Sequence, residues 1–145
     1  MTKYICALLL SLGWCGSAIS SVNAAVTDQA IISKPLNEEV SVAGQMDLVK
    51  FQQLLKQGFK SVIVNRPDGE LGNPVTVNQL RTVAEKSHVS LIYQPVESVK
   101  VSQPDIVEFA RYYNSLPKPI LLVCRSGGRS TALFNQAKQQ GLLRE

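Results

Sequence analysis

The sequence predicts a single α/β domain of three layers, in which a mostly parallel sheet of four or five strands carries helices on both faces. The first observation is that short apolar runs alternate along the 145-residue chain with segments of helical periodicity. The second is that short, turn-rich links join these segments, which favours right-handed β-α-β units and parallel strands. Because sites in such sheets follow the carboxyl ends of the strands, functional residues are expected in the links that come after strands.

Four apolar runs predict the strands. The first contains Val40 and Val42, and the other three cover residues 60–65, 89–93 and 119–123. The β-branched side chains at positions 62–64 favour a strand that is buried on both faces. The last run leads directly into Cys124, and the run at 60–65 leads into a turn at residues 66–70.

Four segments predict the helices. The first covers residues 46–57 and repeats leucines and a phenylalanine on one face. Thr76 with Gln79 three residues later opens the second helix in a capping-box pattern, and Ser102 opens the third. The last helix is predicted over residues 130–140.

The N-terminal residues predict a secretory signal peptide. A positive Lys3 precedes an apolar or small stretch at residues 4–19, and Ala24 completes a small-residue cleavage pattern. An uncleaved membrane anchor is disfavoured because the stretch is shorter than the ~20 residues that a spanning helix requires. The predicted organisation is a signal peptide at residues 1–24, a short irregular leader at 25–37 and the domain at 38–145. We therefore expect a periplasmic or secreted protein with no stable membrane anchor after cleavage.

Charge and cysteine content exclude several classes of function. The 15 Lys and Arg residues, against 11 Asp and Glu, are scattered without a basic run, so no nucleic-acid partner is expected. Cys6 and Cys15 fall within the signal peptide, which leaves Cys124 as the one cysteine of the mature chain and excludes an internal disulfide. The single histidine, His88, has no partner motif and is expected to be structural or exposed. No metal and no cofactor are expected.

The loop between the last strand and the last helix carries the candidate chemistry. Two consecutive glycines, Gly127 and Gly128, let the backbone adopt positive φ and turn its N–H groups inward. Together with the helix N-terminus, these groups predict a site of positive potential with Cys124 as the nucleophile at its floor. The expected ligand is a small anion. The expected contacts come from Arg125, Ser126, Gly127 and Gly128, from Arg129 as a two-pronged donor, and from Ser130, which either caps the helix or donates to the sulfur. The alternative is that Cys124 is a buried strand-end residue beside an ordinary turn.

Motifs along the chain resemble a known family. They are Gly44-Gln45, residues 58–63 (Gly-Phe-Lys-Ser-Val-Ile), residues 65–70 (Asn-Arg-Pro-Asp-Gly-Glu), Pro95-Val96 and the cysteine loop, and they span residues 37–143. In these features the chain resembles the phosphatase-like domain of beta-lactamase hydrolase-like proteins. That family is a branch of the protein tyrosine phosphatase-like superfamily and is related in mechanism to rhodanese sulfurtransferases. The resemblance implies a Cys-dependent enzyme on a protein tyrosine phosphatase-like α/β scaffold.

Two chemistries are compatible with that resemblance. In a phosphatase, Cys124 would attack phosphorus while the loop and Arg129 hold the phosphoryl oxygens. In a sulfurtransferase, Cys124 would accept a sulfane sulfur as a persulfide. Four residues separate Cys124 from Arg129, the size usual in rhodaneses, whereas protein phosphatases of the superfamily have five. The whole-chain match favours the phosphatase-like family, and a third possibility is a non-catalytic module that binds anions or senses thiol oxidation.

The proton donor of a phosphatase is expected near the strand ends. Asp68 is the best candidate, and its alternative role is to cap its own Pro-Asp-Gly turn. Arg66 is either an anion contact or the partner of Asp68 or Glu70. Glu97 is a more distant alternative acid.

Overall fold

The computed structural model describes residues 32–97 and 100–145. The predicted signal peptide and most of the predicted leader lie outside the described residues. The strands are β1 (Lys34–Pro35), β2 (Val40–Ala43), β3 (Ser61–Val64), β4 (Ser90–Tyr93) and β5 (Ile120–Val123). The helices are α1 (Leu48–Leu55), α2 (Val77–Lys86), α3 (Gln103–Ser115) and α4 (Gly128–Gln139).

The strands form one sheet in the order β1-β2-β5-β3-β4. The last four of these are mutually parallel, and β1 pairs antiparallel with β2 at the edge. This architecture confirms the predicted fold class. One difference is that part of the predicted irregular leader forms β1. That pairing was not visible in the sequence because a lysine and a proline have no strand periodicity, and proline is tolerated in an edge strand.

Side chains from the two faces of the sheet form two cores. Alternate residues of β5 point in opposite directions: Leu121 and Val123 belong to the core that includes residues of α1 and α2, while Ile120 and Leu122 belong to the core that includes residues of α3 and α4. Strand β5 is fully buried and lies between β2 and β3. The residue that follows β5 is therefore held at the middle of the sheet, at the carboxyl ends of its parallel strands.

Local sequence signals fix most helix starts. The predicted capping box of Thr76 with Gln79 is formed, and Ser102, which was predicted to open α3, forms a second capping box with Asp105. Helix α4 begins at Gly128, two residues earlier than predicted, because Gly127 is its N-cap in a left-handed conformation. No helix in the described part of the chain is long and apolar enough to cross a membrane. Residues 32–97 and 100–145 also contain no group of three His, Cys, Asp or Glu side chains that could hold a metal ion.

Candidate active site

Cys124 lies at the floor of the loop that joins β5 to α4. The residue is 1% exposed, and its backbone N–H donates to the Ala43 carbonyl at 3.2 Å. Its Sγ accepts the Gly127 N–H at 3.0 Å. That donor and the N-terminus of α4, which begins at Gly128, place partial positive charge beside the sulfur. The structure therefore places the sulfur where the sequence predicted it.

The two loop glycines differ in conformation, and the positive φ that the glycine pair was expected to allow occurs at the first of them. Gly127 has a φ of +92°, whereas Gly128 is the first residue of α4 and is not left-handed. Arg125, Ser126 and Gly128 are exposed, and the Ser126 hydroxyl accepts the Gly128 N–H at 3.4 Å. One left-handed residue is thus enough to turn the chain from the strand into the helix.

The side chain of Arg129 is held from two sides. Nη1 donates to the carbonyl of Val96 in the loop after β4, and Nη2 forms an ion pair with Glu70 Oε2 at 2.6 Å. The side chain is 6% exposed. A guanidinium has five N–H donors, and these two contacts leave three of them for an anion.

Of the two carboxylates that the sequence offered as partners, Arg66 pairs with Glu70 and not with Asp68. Its Nε lies 3.1 Å from Glu70 Oε1, its Nη1 donates to Gln45 Oε1 at 2.5 Å, and its Nη2 donates to the Leu71 carbonyl at 3.2 Å. Sequence reasoning did not single out Glu70 as a site residue. The available signal was its position four residues after Arg66 in the Asn-Arg-Pro-Asp-Gly-Glu string.

Asp68 has a structural partner and also lines a cavity with Cys124. Its Oδ1 accepts the N–H of Val77, the first residue of α2, at 2.7 Å, and its own N–H donates to the Tyr93 hydroxyl at 2.9 Å. Asp68 therefore fixes the start of α2. The alternative role suggested by the sequence, a cap of its own Pro-Asp-Gly turn, is not the one observed. Asp68 also lines a small cavity together with Cys124 and Arg66. A carboxylate and the candidate nucleophile thus line one cavity.

Ser130 neither caps α4 nor donates to the sulfur, and both expectations for it are wrong. Its hydroxyl donates to Asn65 Oδ1 at 2.8 Å, and both residues are fully buried. The direction of this bond follows from the other end of the Asn65 amide, whose Nδ2 donates to the Gln94 carbonyl at 3.1 Å. The start of α4 is thereby tied to the ends of β3 and β4.

The remaining candidates lie away from the sulfur. Glu97 is exposed and lines a groove with Glu70 and Asp68, but it does not line the cavity that contains Cys124. His88 lies in the turn after α2 with a φ of +56°, and its side chain is exposed, which was one of the two expectations for it.

Comparison with known protein families gives a match over most of the described chain. The model of the family described as beta-lactamase hydrolase-like protein, phosphatase-like domain, matches residues 33–141. The beta-lactamase hydrolase-like protein of Agrobacterium fabrum is 30% identical over 99 residues, which are 68% of this chain and 23% of that protein. The Xylella fastidiosa protein of the same name is 27% identical over 99 residues, which are again 68% of this chain and 23% of that protein. The chain therefore spans about a quarter of the length of the curated relatives that it matches.

Solved structures with a similar fold include several phosphatases. A candidate phosphatase from Neisseria meningitidis has a TM-score of 0.66 at 25% identity and covers 72% of this chain and 75% of its own. A candidate phosphatase from Shewanella putrefaciens has a TM-score of 0.65 at 17% identity, with coverages of 79% and 75%. The catalytic domain of the PP-IP phosphatase Siw14 from S. cerevisiae has a TM-score of 0.53 at 14% identity, and covers 74% of each chain. The last two show similarity of fold alone.

Proposed function

Because this chain belongs to the phosphatase-like domain family of beta-lactamase hydrolase-like proteins, we propose that it is a Cys-dependent phosphatase that hydrolyses small phosphate esters. The observation that carries the proposal is the geometry of the cysteine loop. Cys124 Sγ lies 3.0 Å from the Gly127 N–H, at the start of a helix whose second residue is the buried Arg129. This arrangement supports a thiolate and binds the oxygens of a tetrahedral anion.

In the proposed first step, the Cys124 thiolate attacks phosphorus, a sulfur–phosphorus bond forms, and the bond from phosphorus to the ester oxygen breaks. The free N–H groups of Arg129 and of the loop backbone stabilise the charge on the phosphoryl oxygens. Asp68 gives its proton to the departing oxygen. In the second step, water attacks phosphorus with Asp68 accepting its proton, the sulfur–phosphorus bond breaks, and inorganic phosphate and the thiolate are released.

Two variants test this proposal, and both preserve the local structure. Cys124→Ser should abolish hydrolysis of p-nitrophenyl phosphate while leaving the fold intact. Asp68→Asn should reduce the rate by ~10²-fold or more, because it removes the transferable proton. The new amide oxygen can still accept the Val77 N–H that Asp68 accepts at 2.7 Å, so α2 keeps its start. An unchanged rate in Asp68→Asn would exclude Asp68 as the acid.

Sulfur transfer is the second candidate, and two observations favour it. The loop places four residues between Cys124 and Arg129, and Asp68 already has a structural role at the start of α2. In this reaction the thiolate attacks the outer sulfur of thiosulfate, the sulfur–sulfur bond breaks, and sulfite leaves. The persulfide on Cys124 then passes its outer sulfur to an acceptor such as cyanide, which releases thiocyanate and restores the thiolate. No proton donor on the protein is required.

Intact-protein mass spectrometry distinguishes the candidates. Incubation with thiosulfate should add one sulfur atom if the chain is a sulfurtransferase, and cyanide should remove it. The adduct should be absent from Cys124→Ser. A phosphatase should give no adduct but release phosphate from an ester in a Cys124-dependent reaction. A chain that binds phosphate or sulfate and supports neither reaction would be an anion-binding or thiol-sensing module.

We also propose that the chain is exported through a cleavable signal at residues 1–24. The support is the positive Lys3, the apolar stretch that follows it and the small residues before Ala25. N-terminal sequencing of protein recovered from the periplasmic fraction should begin at Ala25. Retention of Met1 on a cytoplasmic protein would contradict export.

A further inference from the structure

The carboxylate of Glu70 lies between two buried arginines. Its Oε2 is 2.6 Å from Arg129 Nη2 and its Oε1 is 3.1 Å from Arg66 Nε. The two arginine side chains are 6% and 4% exposed, and that of Glu70 is 19% exposed. In the described part of the chain, no other carboxylate forms an ion pair with either arginine. Without Glu70, two adjacent positive charges would be buried with no counter-charge, which is strongly unfavourable.

The two arginines use their nitrogens differently. All three nitrogens of Arg66 donate to protein acceptors, namely Glu70, Gln45 and the Leu71 carbonyl. In Arg129 the two terminal nitrogens donate to Glu70 and to the Val96 carbonyl, and Nε has no acceptor among the described residues. Arg66 is therefore held by one more protein contact than Arg129, and Arg129 keeps three N–H donors for a ligand against two on Arg66.

These contacts join the loops that surround the cysteine. Gln45, which follows β2, accepts from Arg66 and donates from Nε2 to the Gly72 carbonyl at 3.1 Å. Arg66 and Glu70 lie in the loop after β3, and Val96 lies in the loop after β4. Through Arg129, the same chain of contacts reaches α4. The orientation of Arg129 is thus set by residues from every loop beside the catalytic one, with Glu70 as the charged centre.

We propose that Glu70 is a positioning residue that aims Arg129 at the bound phosphoryl group and, through its negative charge, weakens the binding of the phosphate product. The proposal rests on the proposed phosphatase function. The first effect raises kcat, since a guanidinium that is already oriented needs no reorganisation in the transition state. The second effect favours product release, because a carboxylate next to the anion site repels a dianion. A residue that only stabilised the fold would not have these two separate effects.

The principal test is Glu70→Gln, which keeps the size of the side chain and one acceptor but removes the charge. We expect kcat for p-nitrophenyl phosphate to fall by about 10²-fold, by analogy with the loss of one preorganised donor. We expect inorganic phosphate, measured by titration calorimetry, to bind about 10-fold more tightly, because the repelling charge is gone. Changes in opposite directions support the proposal. Loss of kcat together with weaker phosphate binding, or an unchanged kcat, would overturn it.

A second variant keeps the proposal testable if Glu70→Gln does not fold. Glu70→Asp retains the charge but is one methylene too short to contact both arginines at the observed distances. We expect kcat to fall by about 10-fold with phosphate affinity unchanged within about 2-fold, and an unchanged kcat would contradict the positioning role. Glu85→Gln is the matched control for charge, since Glu85 is exposed near the far end of α2, and both quantities should stay within about 2-fold of the wild type.

Calorimetry separates the failure of this proposal from the failure of the proposed function. If the wild type hydrolyses no phosphate ester, the proposed function fails. The tighter phosphate binding of Glu70→Gln is then still measurable, because it requires no turnover. If the wild type is an active phosphatase but Glu70→Gln changes neither quantity, only the role of Glu70 fails.

Discussion

Ser130→Ala is the substitution for which the sequence and the structure predict different results. The sequence allowed the hydroxyl to donate to the Cys124 sulfur, whereas the structure places it 2.8 Å from Asn65 Oδ1. Both residues have no exposed surface, so the loss of the hydroxyl leaves a buried oxygen without a donor. Such a loss costs about 1–3 kcal/mol in the free energy of unfolding. In a domain of this size the thermal midpoint should fall by about 4–8 °C for each kcal/mol.

Two measurements check this prediction. Urea denaturation should show the loss of stability, and the pH dependence of iodoacetamide labelling at Cys124 should be the same as in the wild type. The partner variant Asn65→Ala and the double variant complete a thermodynamic cycle. Because each single change already breaks the bond, the double variant should lose less stability than the sum of the two.

The opposite pattern would refute the structural interpretation. If Ser130→Ala unfolds like the wild type but shifts the labelling curve of Cys124, the hydroxyl serves the sulfur and not Asn65. Strictly additive losses in the cycle would likewise show that the two side chains do not interact.

Three further predictions concern glycines in or beside the loop that follows Cys124, and the pH dependence of stability. A Cβ at Gly44 would lie 3.1 Å from the carbonyl oxygen of Arg125, so Gly44→Ala should cost about 1–3 kcal/mol in denaturation. Gly69→Ala, which meets nothing within 4 Å, is its control, and equal midpoints would contradict the contact. Gly127→Ala places a residue with a Cβ at a φ of +92° and should lower the free energy of unfolding by about 1–2 kcal/mol. An unfolding midpoint equal to that of the wild type would show that the loop adjusts. Burial raises the pKa of Tyr113 above its ordinary value of 10.0. The contribution of neutral Tyr113 to the free energy of unfolding is therefore complete below that value and is lost as the pH rises through the raised pKa. Tyr113→Phe should reduce the loss of stability at alkaline pH, measured by denaturation at a series of pH values. An equal slope of stability against pH in the wild type and the variant would contradict this prediction.

The fold could be predicted from the sequence because its signals are local. The apolar run at residues 120–123 is fully buried as β5, as its composition indicated. The capping boxes at Thr76 and Ser102 formed because each requires only residues three positions apart. Even the position of Cys124 follows from the rule that the link after a buried strand lies at the carboxyl edge of a parallel sheet.

The partners of the site residues could not be predicted, since they are distant in sequence. Glu70 and Arg129 are 59 positions apart, and Asn65 and Ser130 are 65 apart. From spacing alone, Ser130 could accept an N–H of its own helix or donate to the Cys124 sulfur. Nothing in the sequence indicated that the end of β3 offered a buried amide oxygen. The first loop glycine adopts positive φ and the second does not, because α4 begins between them.

Each residue assigned to the chemistry also holds an element of the fold, and this determines which substitutions are informative. Asp68 accepts the first N–H of α2, Arg129 ties α4 to the loops after β3 and β4, and Cys124 Sγ accepts a loop N–H. Alanine at any of these positions would remove a structural bond together with a chemical group, so a loss of activity would not identify the role. Asp68→Asn and Cys124→Ser keep the acceptor and remove only the acid or the sulfur nucleophile. A loss of turnover with an unchanged unfolding midpoint in these variants is therefore the result that assigns chemistry to the loop.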